Sequence, residues 1–356
     1  EQGKPQLKII VPWIYGETQK RIMYEEFAQY IKDHPQHILL DKTFGTLLNE
    51  VFFQGDNYEE NLKLLVEKQG QVEQKVIAHF KQSFTVEDME GNQETINPQD
   101  IAFELCRNPR VLTGIKKGFY TSIAYFSEIL EELKKEHKIN PELADQVLPI
   151  AKKLEDHYQA HFLPEPSTFT FKQQANQEQK RSTETTIPPT ITPQQTPQEG
   201  QFQNGMYVLV SGIPKLIPLY KKAEQVAKVL NLKIYCNKNG IFDDAIIVNP
   251  HVIGRSEIKV LVARSGWSAM WTALLLEKPL LVLPYEDFDD PEIYFNAKTL
   301  QMIKLGTVLD NRDPNTLQKQ AQENVEHMKQ YKQQLLEKYG TLDGNEFASK
   351  VIISQI

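Results

Sequence analysis

A chain of 356 residues is too long for one ordinary core and about right for two domains. Its apolar fraction of 40%, with 17 Phe and 14 Tyr, can fill two cores, and its net charge of −7 excludes a general nucleic-acid binder, which needs a basic surface to displace phosphate counterions. The two cysteines, Cys106 and Cys236, lie far apart, which excludes a disulfide framework and fits a reducing, cytoplasmic setting.

The chain opens Glu-Gln-Gly-Lys, without a signal-peptide pattern or an initiator Met. No run approaches the roughly 18–20 apolar residues that span a bilayer. Residues 7–13 form a short apolar run ended by Pro12 and Gly16, the mark of a buried strand. Residues 18–32 repeat apolar side chains at helical spacing (Ile22, Phe27, Tyr30, Ile31), and 37–40 reads as a second strand. A long helix is expected over 58–82, with Leu62, Leu65, Val72 and Val76 on one side. A Glu-Gly-Asn turn inside 84–96 predicts a hairpin. The stretch 98–137 reads as helix-rich, and 169–171 as a last strand.

From Pro164 to Asn204 the chain turns to Gln, Thr, Ser and Pro, a composition that buries too little surface to offset the entropy of ordering. Three regions are therefore expected: a first domain over 1–172, a flexible linker or disordered loop over 173–204, and a second domain over 205–339. In that second domain, short apolar runs at 206–210, 233–236, 245–248, 259–263 and 280–284 alternate with helices at 215–230, 265–277 and 291–304. Such alternation predicts a Rossmann-like parallel sheet covered on both faces. A helix over 314–339 carries Leu317, Ala321, Val325, Met328 and Leu335 on one stripe and breaks at Gly340. A last amphipathic segment covers 345–356.

Three motifs fall at the carboxyl ends of predicted strands, where open α/β sheets bind ligands. Ser211-Gly212 follows the first strand of the second domain. It suits a phosphate held by backbone N–H groups, or it is a tight strand-to-helix turn. The absence of a Gly-x-Gly-x-x-Gly disfavours a nicotinamide cofactor. Arg264-Ser265-Gly266 repeats the Ser-Gly arrangement, with Ser265 expected to cap the next helix and Arg264 to neutralise phosphate or pair internally. In the third motif, residues 284–297, Asp290 before Pro291 is a helix start, while Asp289, Asp290 and Glu292 are placed to accept hydrogen bonds from sugar hydroxyls.

Residues 261–309 resemble the donor-side domain of GT-B glycosyltransferases. The resemblance is nearest to the family that adds N-acetylglucosamine to lipid-linked peptidoglycan precursors and to the UDP-glycosyltransferases. It rests on Ser265, Gly266, Pro279, Pro284, Asn296, Ala297 and Gly306. The resemblance implies an α/β fold of two Rossmann-like domains facing a cleft, with residues 340–356 crossing back to the first domain. It implies transfer of a hexose from a nucleotide diphosphate sugar to a hydroxyl acceptor, leaning towards inversion. The co-substrate is most readily a UDP-sugar, with no further cofactor and no metal. The acceptor is another glycan or a lipid-linked molecule, which places the chain in the cytoplasm or at the inner face of the membrane.

On this resemblance the donor diphosphate meets Ser211, Gly212, Ser265 and Gly266, and the nucleotide base meets Val248 and Asn249. Asp290, Glu292 and Asn296 lie on the sugar side. Thr272 stands where UDP users place a ribose-binding Glu, and Glu292-Ile293 replaces an Asp-Gln or Gln-Gln pair. The first domain has Pro12-Trp13-Ile14-Tyr15-Gly16-Glu17 in place of a Gly-rich loop. Glu17, the only carboxylate there, is the candidate catalytic base, or else an ordinary first-turn residue favoured by the helix dipole. An aromatic stretch at 118–126 is similar to one in acceptor domains, or is core. Lys116 and Lys117 suit a membrane contact or a solvated turn. The pairs His34/His37 and His157/His161 lack a third metal ligand. Two alternatives share the architecture: a sugar-nucleotide 2-epimerase, and a non-catalytic binding protein.

Overall fold

The computed structural model describes residues 7–52, 54–175, 182–193 and 201–354. The chain divides into two compact units, one ending at His161 and the other beginning at Phe162. Among the described residues no helix is long and apolar enough to cross a membrane.

The first unit begins with a four-stranded sheet in the order β1 (Ile9–Pro12), β2 (Ile38–Asp41), β3 (Phe84–Asp88), β4 (Gln93–Ile96). The β1–β2 pair is parallel and carries α1 (Gly16–Asp33) as its crossover; the β2–β3 and β3–β4 pairs are antiparallel. All four residues of β2 are buried, as in a central strand. The predicted hairpin turn forms because Asp88 accepts the N–H groups of Glu90 and Asn92 while Gly91 takes φ +94°. Between these strands lie α2 (Lys42–Asn49) and α3 (Tyr58–His79). The predicted stripe of α3, Leu62, Leu65, Val72 and Val76, is buried. Gly45 is obligatory in α2, since a Cβ there would fall 2.2 Å from the Trp13 carbonyl oxygen.

The stretch expected to be helix-rich is mostly irregular until α4, with one 3-10 turn (Pro98–Asp100). It holds β5 (Glu104–Cys106) and β6 (Gly118–Thr121), paired in parallel, before α4 (Phe126–Lys135) begins. Pro109 and Gly114 interrupt any helical run, and the aromatic and β-branched residues after Gly118 favour a pleated, packed surface. Phe119, Tyr120, Ile123, Tyr125 and Phe126 are buried, so the aromatic stretch is core. Helix α5 (Pro141–Asp156) follows, and β7 (Ala160–Pro164) leads into the second unit.

The second unit is built on a six-stranded, all-parallel sheet. Its strands are β9 (Gly205–Leu209), β10 (Lys233–Cys236), β11 (Ile246–Ile247), β12 (Ile258–Ala263), β13 (Leu280–Val282) and β14 (Thr307–Val308). In space they run β11-β10-β9-β12-β13-β14, so the winding reverses between β9 and β12. Helices α7 (Ile217–Tyr220), α8 (Lys222–Val229), α9 (Trp267–Leu276), α10 (Pro291–Met302) and α11 (Pro314–Tyr339) complete the layers. One core joins Met206, Val208, Val260, Val262 and Leu281 to Ala223, Val226, Leu317 and Ala321. Tyr207 and Leu261 alternate to the opposite face and are buried too, which is why these strands read as unbroken apolar runs.

The unit boundary precedes the one expected at 172. Residues 165–170 are tied to α9 and α10 by buried polar bonds and to α11 by more exposed ones. The Trp267 indole N–H donates to Thr168 Oγ1 at 3.1 Å and the Trp271 indole to the Pro166 carbonyl at 2.9 Å. The Thr299 hydroxyl donates to the Thr168 carbonyl, and Lys338 and Tyr339 bond Glu165. Residues 169–171, expected as a strand, instead lead into α6 (Thr170–Ala175), which starts at Thr170. The expected linker also contains a strand, β8 (Glu184–Ile187), and only its residues 176–181 and 194–200 lie outside the described ones. The final helix α12 (Gly344–Ile353) rests on this segment: the Gly344 N–H donates to the Pro189 carbonyl at 2.9 Å.

Candidate functional site

Of the three motifs, two stand side by side at the carboxyl edge of the parallel sheet. Strands β9 and β12 are neighbours, with Leu209 opposite Ala263, so Ser211-Gly212 and Arg264-Ser265-Gly266 leave adjacent strand ends. This is also where the strand order reverses. In open α/β sheets the helices diverge to opposite faces at such a reversal, and the crevice between the two strand ends is where ligands bind.

The β12 side is built by hydrogen bonds that link α9 to α10. Ser265 is fully buried and does not cap α9, contrary to expectation; its hydroxyl donates to the Ile293 carbonyl at 3.0 Å. Gly266 is the N-cap instead; among the described residues no side chain caps the helix, and a Cβ on Gly266 would meet nothing within 4 Å. The first-turn N–H groups of α9 therefore have no side-chain acceptor among the described residues, and the space at Gly266 is open. Asn296, also fully buried, donates to the Ser265 carbonyl at 3.0 Å and to Glu292 Oε1 at 3.3 Å, while its Oδ1 has no partner among the described residues.

Arg264 pairs internally. Its Nε donates to Asp289 Oδ2 at 2.9 Å, and a second bond joins its Nη2 to Asp289 Oδ1. Burial pulls the guanidinium pKa down, but the bonds and charge of Asp289, with Asp290 and Glu292 beyond it, more than offset that and hold it above its ordinary value. Asp290 performs the local task read from its place before Pro291: it caps α10 by accepting the Glu292 N–H at 2.9 Å. Thr272 bonds back to the Ser268 carbonyl at 2.7 Å, so its hydroxyl is engaged within α9.

On the β9 side, the expected single helix over 215–230 is broken into a 3-10 turn (Pro214–Leu216), α7 and α8. Pro214 and Pro218 lack the N–H groups a continuous helix needs there. Ser211-Gly212 consequently has no long helix dipole behind it. The Ser211 N–H donates to Tyr220 Oη at 3.0 Å, and its buried Oγ has no partner among the described residues. Gly212 is exposed, and a Cβ on it would meet nothing within 4 Å. Asn237 fastens this turn by exchanging bonds of 2.8 and 3.1 Å with the Val210 backbone. Val248 and Asn249 lie beyond β11. The Val248 N–H donates to the Cys236 carbonyl and its own carbonyl accepts from Tyr207 Oη at 2.9 Å, while Asn249 caps the following 3-10 turn.

Glu17 belongs to the first unit. It is exposed in the first turn of α1, and no described residue bonds its carboxylate. Gln19 folds over the preceding loop instead, accepting the N–H groups of Ile14 and Tyr15 and donating to the Pro12 carbonyl. Sequence reading missed a buried polar pair in this unit, His79 Nε2 to Asp41 Oδ2 at 2.7 Å, with Asp41 Oδ1 also capping α2. It also missed Lys215 and Phe288, which meet beside the crevice with Nζ 5.6 Å from the ring centroid. A phenylalanine inside an acidic turn was the available signal.

No family model and no curated protein matches the chain. Solved structures do. A kitacinnamycin glycotransferase aligns over 99% of this chain and 100% of its own, at 12% identity and a TM-score of 0.57. The calicheamicin glycosyltransferase CalG4 aligns over 98% of both chains, at 11% identity and a TM-score of 0.56. Phytolacca americana UGT2, complexed with UDP-2fluoro-glucose and pterostilbene, aligns over 100% of both chains, at 10% identity and a TM-score of 0.57. The fold is that of GT-B glycosyltransferases. Within the GT-B fold, the β9–β12 crevice belongs to the C-terminal Rossmann-like unit, the half whose sequence carries the resemblance.

Proposed function

We propose that the chain transfers a hexose from a nucleotide diphosphate sugar to a hydroxyl acceptor. The observation that supports this most is the open start of α9, with Gly266 and Gly212 both facing free space at the strand-order reversal. Uncapped N–H groups beside glycines, at the carboxyl edge of a parallel sheet, suit a diphosphate. A UDP-sugar is the first donor to test, in keeping with the UDP-2fluoro-glucose bound to the Phytolacca structure. The acceptor oxygen attacks C1, the bond from C1 to the diphosphate oxygen breaks, and the electron pair leaves with the diphosphate. The helix start stabilises that charge without a bound metal. Glu17 takes the acceptor proton, in a reaction that inverts C1. A glycan or lipid-linked acceptor at the cytoplasmic face of a membrane suits Lys116 and Lys117.

Thermal-shift measurements with UDP-, GDP- and dTDP-sugars test the donor site, and release of nucleoside diphosphate tests the reaction. Stabilisation by none of them removes the donor-site reading. Glu17→Gln should lower transfer at least about 100-fold while leaving the thermal shift unchanged. A second reading, a non-catalytic nucleotide-sugar binder, is favoured by the exposed, unoriented Glu17 beside a loop tied up by Gln19. It predicts stabilisation without any diphosphate release.

A further inference from the structure

Phe288 is 45% exposed at the tip of a turn closed by the Asp289 N–H donating to the Glu286 carbonyl at 2.8 Å. Turn tips favour Gly, Pro, Asn, Asp and Ser, and a phenyl ring there adds nothing to a core. The turn is nonetheless held firmly. Asp289, the next residue, grips Arg264 twice and accepts the Asp290 N–H at 2.7 Å. The ring is therefore displayed on a rigid support.

Lys215 comes to this ring from the other side of the crevice, four residues along from Ser211, and its Nζ stands 5.6 Å from the ring centroid. Arg264 is committed to Asp289, whereas Lys215 brings a cation to the Phe288 turn from the segment that follows Ser211-Gly212. The exposed carboxylates of Asp287 and Asp290 flank the ring in sequence, with Glu292 half-buried beyond them. Asn296, which donates to Glu292 at 3.3 Å, is fully buried, and its Oδ1 has no partner among the described residues.

We propose that Phe288 is the stacking platform for the hexose of the nucleotide diphosphate sugar, that Lys215 links this platform to the diphosphate, and that the surrounding carboxylates admit neutral or amino hexoses and reject uronic acids. The proposal rests on reading the β9–β12 crevice as a nucleotide-sugar site. In such a donor the diphosphate and the sugar are contiguous, as the Lys215 and Phe288 contact requires. A pyranose presents an apolar C–H face that fits an aromatic face, and rim hydroxyls that donate to carboxylates. A uronic acid would set its own carboxylate among Asp287, Asp290 and Glu292, where like charges repel.

Calorimetric titration of the full chain with UDP, UDP-glucose and UDP-glucuronic acid tests this, repeated with dTDP and dTDP-glucose if thymidine nucleotides bind instead. The wild type should bind the glucose conjugate about 3- to 10-fold more tightly than the bare diphosphate. The glucuronic acid conjugate should bind more weakly than the glucose one. Phe288→Ala should erase the glucose increment and change the diphosphate Kd less than twofold; Phe288→Trp should keep the increment. Lys215→Ala should weaken diphosphate and conjugate together. A glucose increment that survives Phe288→Ala, no increment in the wild type, or glucuronic acid binding equal to glucose overturns the proposal while diphosphate binding persists. Failure of every nucleoside diphosphate to bind the wild type sinks the underlying site reading as well.

Discussion

Gly266→Asp separates a structural role of the α9 start from a ligand-binding one, because the two predict opposite signs. Gly266 is the N-cap at φ −83° and ψ 142°, an extended conformation any residue adopts, and its Cβ direction is empty. Aspartate there should accept a first-turn N–H and answer the helix dipole. Aspartate exceeds glycine at an N-cap by a few tenths of a kcal/mol, and the dipole contributes about 0.3–1 kcal/mol more. For a unit of this size that gain raises Tm by roughly 1–4 °C. A bound diphosphate, in contrast, would lose those N–H groups and face a new charge. At about 5 Å and an effective dielectric between those of water and a protein surface, the repulsion is about 1–3 kcal/mol, or roughly 5- to 150-fold in Kd. Differential scanning calorimetry gives the first quantity and titration with UDP the second, with Gly266→Ala as the control that should melt slightly below wild type, alanine being a poorer N-cap than glycine, and leave UDP binding unchanged. A variant that is stabilised yet binds UDP within twofold of wild type would refute the assignment of phosphate to the start of α9.

Other perturbations probe the support of the site and the fold. Arg264→Ala strands the carboxylate of Asp289, whose side chain is only 3% exposed, and should cost about 3 kcal/mol in chemical denaturation, with Asp289→Asn in the same chain recovering part of the loss. Trp271→Phe leaves the Pro166 carbonyl without its indole donor and should cost about 1–2 kcal/mol by the same measurement. In the first unit, burial raises the Glu104 pKa above its ordinary 4.5, against the lowering effects of the Thr113 bond, His157 and Tyr158. The folded state then holds this proton more tightly than the unfolded one, so stability falls as pH rises through the raised value. Glu104→Gln should accordingly melt above wild type at pH 7, and the gap should close as pH falls below 4.5; a gap independent of pH would show that the carboxylate charge is not its source.

The sequence alone determined the alternation that makes the second unit a parallel sheet, because strands buried on both faces must be apolar throughout, as β12 is. It also determined the strong local signals: Asp290 before Pro291, the α3 stripe, the hairpin at Gly91 and the break at Gly340, which takes φ +69° as a left-handed cap. Each of these is settled by neighbours within a few residues. Other assignments waited on partners far along the chain. Whether Arg264 faces a ligand or a carboxylate depended on Asp289, and whether Ser265 caps a helix depended on the Ile293 carbonyl. Residues 165–170 look like the end of one domain in sequence, yet Trp267, Trp271 and Thr299 hold them in the next. The placement of Ser211-Gly212 beside Gly266 is the most consequential case. It follows from strand order, and order in a parallel sheet is fixed by which helices cover which face, a property of packing that no local pattern encodes.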